Sequence, residues 1–400
     1  MTVVNLANYQ TVKHSTILQM KKTLILLLMV LSFIGAKAND GVYYTSGNQL
    51  IPITETEISV KKEVLDITRR DQMIHVHVYY EFFNPGNEKT LLVGFEAMPP
   101  SGAWDISEEE YKKLVDHPYM HDFTVYINGE RLNYQVSHVE STENGYYHNG
   151  KFDELSKQRE LELGRETDFS EFIPYLFVYH FNATFKKGLN IVEHTYVFDE
   201  STYVGAEYDF DYVLTAANRW ANNQIDDFTL NVDMGECESF AIRPTFFKSA
   251  SEWTMKGVGR QSNGGELYND NPMFNMQKGG ISYHKKNFHP EGELEIYKLV
   301  PGMMMLWGDG ANAPEVMNAV KRQYAQWRVW IFEDNDFTLT KEEKRIMKNL
   351  PFAYRGHVFK DQGLKKFFES TDWYIPNPDY IDDMGKMSKE EREWIEFWSK

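Results

Sequence analysis

One cysteine, Cys237, is all that the 400-residue chain contains. No intramolecular disulfide can form, so stability must come from packing. Glu236 and Glu238 flank the thiol and disfavour the thiolate, which points to a small, dispensable buried or semi-buried residue rather than a nucleophile. Basic residues are also scarce, with 42 Lys and Arg against 59 Asp and Glu and a formal charge of -17. Residues 1–38 hold four lysines and no acid, so the remainder carries -21. That balance argues against nucleic acid or anionic lipid as a partner, because both are bound mainly through basic residues. Long apolar runs are missing too: the longest, Thr23 to Gly35, falls below the ~20 residues a spanning helix needs. There is no Gly-x-Ser-x-Gly, His-Glu-x-x-His or P-loop. Gly257-Val258-Gly259 lacks a third glycine at the required spacing and a βαβ setting, which excludes a dinucleotide site. No cofactor is indicated.

What is present begins with Met20 to Asp40. Lys21 and Lys22 precede the apolar run, and Ala36-Lys37-Ala38 supplies small residues where signal peptidase cuts, so residues 20–38 are expected to be a secretory signal peptide and the exported chain to begin at Asn39. Residues 1–19 are expected to be an extension from a mis-chosen start. No cysteine follows the apolar run, so a lipoprotein anchor is not expected. The destination is periplasmic or extracellular.

Residues 39–310 carry strand patterns. Ile74, Val76, Val78, Tyr80 and Phe82 alternate with His75, His77, Tyr79 and Glu81. Asn84-Pro85-Gly86-Asn87 breaks this run before a strand at Leu91 to Phe95. Asn128-Gly129, well suited to a type I′ turn, predicts a hairpin of Phe123 to Ile127 with Leu132 to Val136. Leu176 to Phe185 and Ile191 to Phe198 predict another. Further strands are expected at Tyr208 to Thr215, Phe228 to Asp233, Phe240 to Phe246 and Glu293 to Leu299. Together they predict a mainly β region, an acidic antiparallel β-sandwich. Two charged helical insertions are expected, one opened by the Ser107/Glu110 capping box and one over Phe152 to Leu163.

After Pro314 the period becomes helical. Val316, Val320, Tyr324, Trp327 and Ile331 make one apolar stripe, and Thr340/Glu343 and Ser388/Glu391 are capping boxes. Residues 311–400 therefore predict a small all-α C-terminal module, nearly neutral with fifteen Lys and Arg against sixteen Asp and Glu. Within it, Phe352-Ala353-Tyr354-Arg355-Gly356, Phe367-Phe368 and Trp373-Tyr374-Ile375-Pro376 resemble the YARHG domain over Thr340 to Tyr380. Phe352 stands for the family's Tyr, and Tyr354 and Arg355 for its Arg and His. The resemblance implies an exported bacterial protein with cell-wall association as the expected role. Tyr354, Arg355 and Tyr374 are the candidate ligand contacts; the residues themselves also read as an aromatic core of Phe352, Phe359, Phe367, Phe368 and Trp373, with Gly356 as a tight helix exit. The β region loosely resembles uncharacterised exported bacterial proteins that begin Asn-Asp-Gly and carry Tyr-x-Leu-x-x-x-x-x-Trp, here Tyr212, Leu214 and Trp220.

Metal sites are weakly signalled. His75 and His77 share a strand face, with His121, His138 or Glu81 as conceivable third zinc ligands, but polar residues on a solvated face explain the pair. Glu333-Asp334-Asn335-Asp336 lacks the glycine and closing glutamate of a calcium loop. Two functions fit: a non-catalytic binding or scaffold protein of the bacterial cell envelope, with a cell-wall glycan or an envelope protein as ligand, and an envelope-polymer hydrolase using a carboxylate pair in the β region. Paired carboxylates meet only in space and leave no sequence signature.

Overall fold

A computed structural model describes residues 51–52, 57–97, 109, 120–140, 146–166, 175–203, 206–265, 268–299, 313–322 and 338–400. In the first half the strands are β1 (Ile51–Pro52), β2 (Ser59–Arg70), β3 (Met73–Asn84), β4 (Lys89–Ala97), β5 (Met120–Ile127), β6 (Glu130–Arg131), β7 (Gln135–Val139), β8 (Tyr147–His148), β9 (Lys151–Phe152), β10 (Leu176–Phe185) and β11 (Gly188–Asp199). The second half adds β12 (Ser201–Tyr203), β13 (Ala206–Tyr212), β14 (Ile225–Asp233), β15 (Glu238–Ile242), β16 (Trp253–Asn263), β17 (Pro272–Phe288) and β18 (Leu294–Leu299). Both the signal-like segment and the Ser107/Glu110 box lie outside the described residues, apart from Glu109.

The β region is a sandwich. A four-stranded sheet, β1-β4-β10-β7, packs on the β3-β11-β5 part of a larger sheet ordered β12-β13-β18-β15-β17-β14-β2-β3-β11-β5-β6, with β16 paired to β17. The alternation in β3 does what it predicts: Ile74, Val76, Val78, Tyr80 and Phe82 are buried, while His75 and His77 face water. Aromatic rings join the layers, with Phe95 of the small sheet 5.2 Å from Phe123 and Phe185 5.6 Å from Phe82 of the large one. Among the described strands all pairings are antiparallel except that of β14 with β2.

Two predicted hairpins are corrected. Asn128 and Gly129 do take positive φ, 50° and 82°, but the returning strand β6 lasts two residues before the chain leaves for β7 in the small sheet. Strands β10 and β11 are not partners: β10 pairs with β4 and β7, and β11 with β3 and β5. The intervening turn is an arch between layers, since both strands bury alternate residues in the shared core.

The large sheet forks. Strands β14 and β15 lie end to end along one edge of β17, with β16 along the other. On its far side β14 carries β2, and β15 carries β18. At the junction, residues 234–237 bulge, with Gly235 and Cys237 at φ 111° and 56°. There β16 and β17 approach so closely that a Cβ on Gly279 would sit 2.2 Å from the Lys256 carbonyl oxygen, which explains glycine at this position.

The tail is helical and has its own core. Helix Ala313–Lys321 contributes Val316 and Val320; the rest of the predicted stripe lies outside the described residues. Helices Lys341–Tyr354 and Lys389–Phe397 open with the expected capping boxes at Thr340 and Ser388, and Gln362–Glu369 is capped by Asp361. Among the described residues no helix is long and apolar enough to cross a membrane.

Candidate ligand cleft

Among the described residues, half of the outer face of the small sheet is covered. An insertion after β7 runs through the β8–β9 hairpin, where Tyr146 and Phe152 pack on Val139, Leu176 and Val178, and into helix Lys157–Glu166, whose Leu163 joins the main core. The uncovered half is an open cleft of ≈ 690 Å³. Leu92, His180 and Asn182 belong to the strands beneath it; Asn133, Tyr134 and Gln135 come from the chain entering β7; Tyr147, Gly150, Lys151, Phe152 and Glu154 come from the insertion.

The surroundings hold these groups in place. Tyr134 is 40% exposed, yet its ring meets Phe123 edge-on at 4.7 Å and Tyr179 at 5.7 Å. Phe152 lies 4.9 Å from Tyr147 and 4.2 Å from the His180 ring. The hairpin is tied down by the Tyr146 hydroxyl donating to Glu96 at 2.5 Å and by a Val139–Glu154 bridge. Burial beside Glu96 holds the Tyr146 phenol well above its usual range.

Ser137 is buried and meets two partners, Glu154 at 2.7 Å and His180 Nε2 at 2.8 Å. A carboxylate can only accept, so the serine proton goes to Glu154, and the serine oxygen accepts from the imidazole N–H. Burial lowers the His180 pKa, so the ring is neutral at pH 7. With its proton committed to Glu154, Ser137 anchors the wall of the cleft. Among the described residues, one carboxylate, Glu154, and one ammonium, Lys151, line the cleft.

The predicted site residues of the tail lie elsewhere, and inside. Tyr354 is buried, its ring 4.3 Å from that of Trp373. Tyr374 is buried against Phe359 and Phe368, and its hydroxyl donates to the His357 carbonyl at 2.6 Å. Arg355 forms a two-pronged ion pair with Glu391, Nη2 to Oε2 at 2.8 Å, and Nη1 also donates to the Pro351 carbonyl at 3.1 Å. It thereby ties the end of one helix to the start of the last. Trp373 donates its indole N–H to the Val320 carbonyl at 2.9 Å. Residues 333–400 match the YARHG domain.

None of the curated proteins matches the chain. Similar solved structures include a "putative nutrient binding protein" from Legionella pneumophila, 16% identical, with a TM-score of 0.47 over 89% of this chain and 99% of that one. Yeast LTA4 hydrolase in complex with bestatin is 9% identical, with a TM-score of 0.23 over 60% of this chain and 28% of that one.

The YARHG domain docks on the fork of the large sheet. Gly356, at φ 84°, ends its first capped helix in a Schellman turn, with the His357 N–H bonded to the Phe352 carbonyl. A Cβ there would lie 2.4 Å from Gln277 Nε2, and that amide donates to the Ile375 carbonyl at 3.0 Å. Cys237, in the bulge, packs against the YARHG core, and burial pushes its thiol up to about 11. It is a free thiol.

Among the described residues no group of His, Cys, Asp or Glu is arranged to hold a metal ion. His77 pairs with Asp66 at 3.2 Å, His121 with Asp199 at 3.0 Å, and His138 with Glu160 at 2.9 Å. The Glu333–Asp336 stretch lies outside the described residues. Gly257-Val258-Gly259 belongs to β16, an antiparallel strand. The carboxylates with the most disturbed titration, Asp209 and Asp211, are buried on β13, where desolvation and neighbouring carboxylates hold both well above the usual range. Neither lines the cleft. The cleft residues escaped the sequence reading because they come from four separated segments; the polar-aromatic triplets Asn133-Tyr134-Gln135 and Tyr146-Tyr147-His148 were the available signal.

Proposed function

We propose that the protein is an exported, non-catalytic binding or scaffold protein of the bacterial cell envelope, periplasmic or extracellular, that holds a cell-wall glycan or an envelope protein in the cleft on its small sheet. The observation that carries this function is the cleft itself: open, preorganised by its anchored hairpin, and lined by aromatic and amide side chains around the Glu154 carboxylate. Its volume falls within the ~300–1,000 Å³ of ordinary ligand sites. A glycosidase would need two carboxylates facing the ligand, ~5–10 Å apart, and among the described residues Glu154 alone supplies one to the cleft. The YARHG domain, a module of exported bacterial proteins, supports the envelope setting.

In this function Tyr354, Arg355 and Tyr374 act by holding the YARHG domain together and onto the fork. The chain divides into leader residues 1–38, a β region to about residue 310 and the helical module beyond it. Sedimentation of the purified protein with isolated cell-wall material tests the proposal. The parent should co-sediment, and a Tyr134→Ala/Phe152→Ala double variant of parental melting temperature should not. Failure of the parent to co-sediment with any envelope fraction would overturn the binding function.

A further inference from the structure

We infer that the cleft takes an uncharged glycan, with the carbon–hydrogen face of a pyranose ring laid on Tyr134 and its hydroxyl or acetamido groups on the surrounding amides; this specifies the ligand class of the site proposed above and rests on that function. Tyr134 supplies the platform. Its ring is exposed, while Phe123 and Tyr179 hold it from behind, so little conformational entropy is lost when a ligand covers it. The electron-rich face of an aromatic ring attracts the slightly positive C–H bonds of a sugar face.

The polar groups fit the same ligand. Asn133, Gln135 and Asn182 are exposed at the cleft and each offers both a donor and an acceptor, which matches hydroxyls that also do both. Charge is balanced: Lys151 and Glu154 oppose each other, and the His180 imidazole is neutral. An anionic polymer would call for clustered Arg or Lys, and among the described residues no arginine lines the cleft. A peptide added as a strand would need a free edge on β7. Half of that edge is already taken, by the Val139–Glu154 bridge and the Leu155 N–H bonded to the His138 carbonyl. An acyl chain would leave the amides of Asn133, Gln135 and Asn182 without partners.

The test is calorimetric titration of the purified protein with two neutral probes, a β-1,4-linked N-acetylglucosamine tetramer and maltotetraose, and with an anionic probe, polyglutamate. At least one neutral probe should bind, with affinity changing by less than about twofold between about 0.05 and 0.5 M salt, because no ion pairing is involved. Tyr134→Ala should weaken it about tenfold or more, as for an interface anchor. Asn182→Ala, an exposed change that leaves the fold intact, should weaken it about threefold or more, the scale of one lost hydrogen bond. Binding of the anionic probe alone, or neutral binding unaffected by both variants, would overturn the inference. If wall material co-sediments through the cleft yet neither neutral probe binds or competes, the binding function stands and the neutral-glycan ligand falls.

Discussion

In the β region contacts reach across 165 residues of chain, whereas in the helical tail the separations are shorter. Lys61 reaches Asp226 across 165 residues, and β2 pairs with β14 along most of its length. In the tail the indole N–H groups of Trp373 and Trp394 reach carbonyls 53 and 47 residues away. The cores differ in chemistry as well. The sandwich buries Glu63, Asn190 and His194 among its aromatics, while the tail buries Thr371 and the Glu391 carboxylate, which Arg355 pairs. Short loops cost less entropy to close than long ones, and three side-chain-capped helices specify the tail locally. The tail should therefore be lost or kept as a unit, and the β region should be the part that responds to protons.

The largest effect should come from Trp373→Ala. Truncating a buried tryptophan costs ~3–5 kcal/mol, a large share of a small module's stability. Hydrogen exchange should show tail amides losing protection while those of β3 and β11 keep theirs. Equal loss in both regions would erase the distinction between them.

Next in size is Arg355→Gln, which strands the buried Glu391 carboxylate. Side-chain exposures of 18% and 7% place this pair between surface and fully buried examples, so a cost of ~2–3 kcal/mol is expected. Thermal melts should show the tail transition falling, while cell-wall binding through the cleft is unchanged. Loss of binding at an unchanged melt would assign Arg355 to a ligand instead.

The smallest effect is pH-dependent and belongs to the sandwich. His194 is fully buried, stands 6.0 Å from Phe95 and 5.9 Å from Tyr80, and neither ring nitrogen has a hydrogen-bond partner among the described residues. Burial lowers its pKa from 6.5 to about 3. Because the folded state disfavours the charged ring, its contribution is complete above the unfolded value and is lost as pH falls from about 6.5 toward about 3. At pH 5 the loss should be about 2 kcal/mol. Denaturant melts of His194→Phe should retain about that much more of the neutral-pH stability than the parent. Identical pH dependence in both would exclude His194 as the source.

How much of this was legible from the residues depended on range. Strand β3 announced itself by strict alternation, and the Thr340 and Ser388 caps by spacing. Strand β2 did not, because its bulge at Val60–Lys62 breaks the alternation and turns the charged Glu63 inward. Strands β16 and β17 were not predicted; Gly257, Gly279 and Gly280 interrupt their side-chain pattern and serve where backbones crowd at the fork. The strands β10 and β11 were recognised but wrongly joined, since alternation reports a buried face and not a partner. Tyr354 and Tyr374 looked like ligand contacts in a polar-aromatic motif and lie inside the tail core.

The fork also sets an order of events during synthesis. Strand β2 needs β14 as its neighbour, and β14 and β15 both need β17, which ends at Phe288. Until that residue has been made, neither branch of the sheet can close. The nascent chain must carry the twelve-residue β2 with one edge open, an invitation to pairing with other chains. Such late, long-range closure slows folding, and an unfolded chain can still be threaded through a narrow channel. Aggregation during overproduction should therefore track fragments ending before Phe288 rather than those lacking the tail.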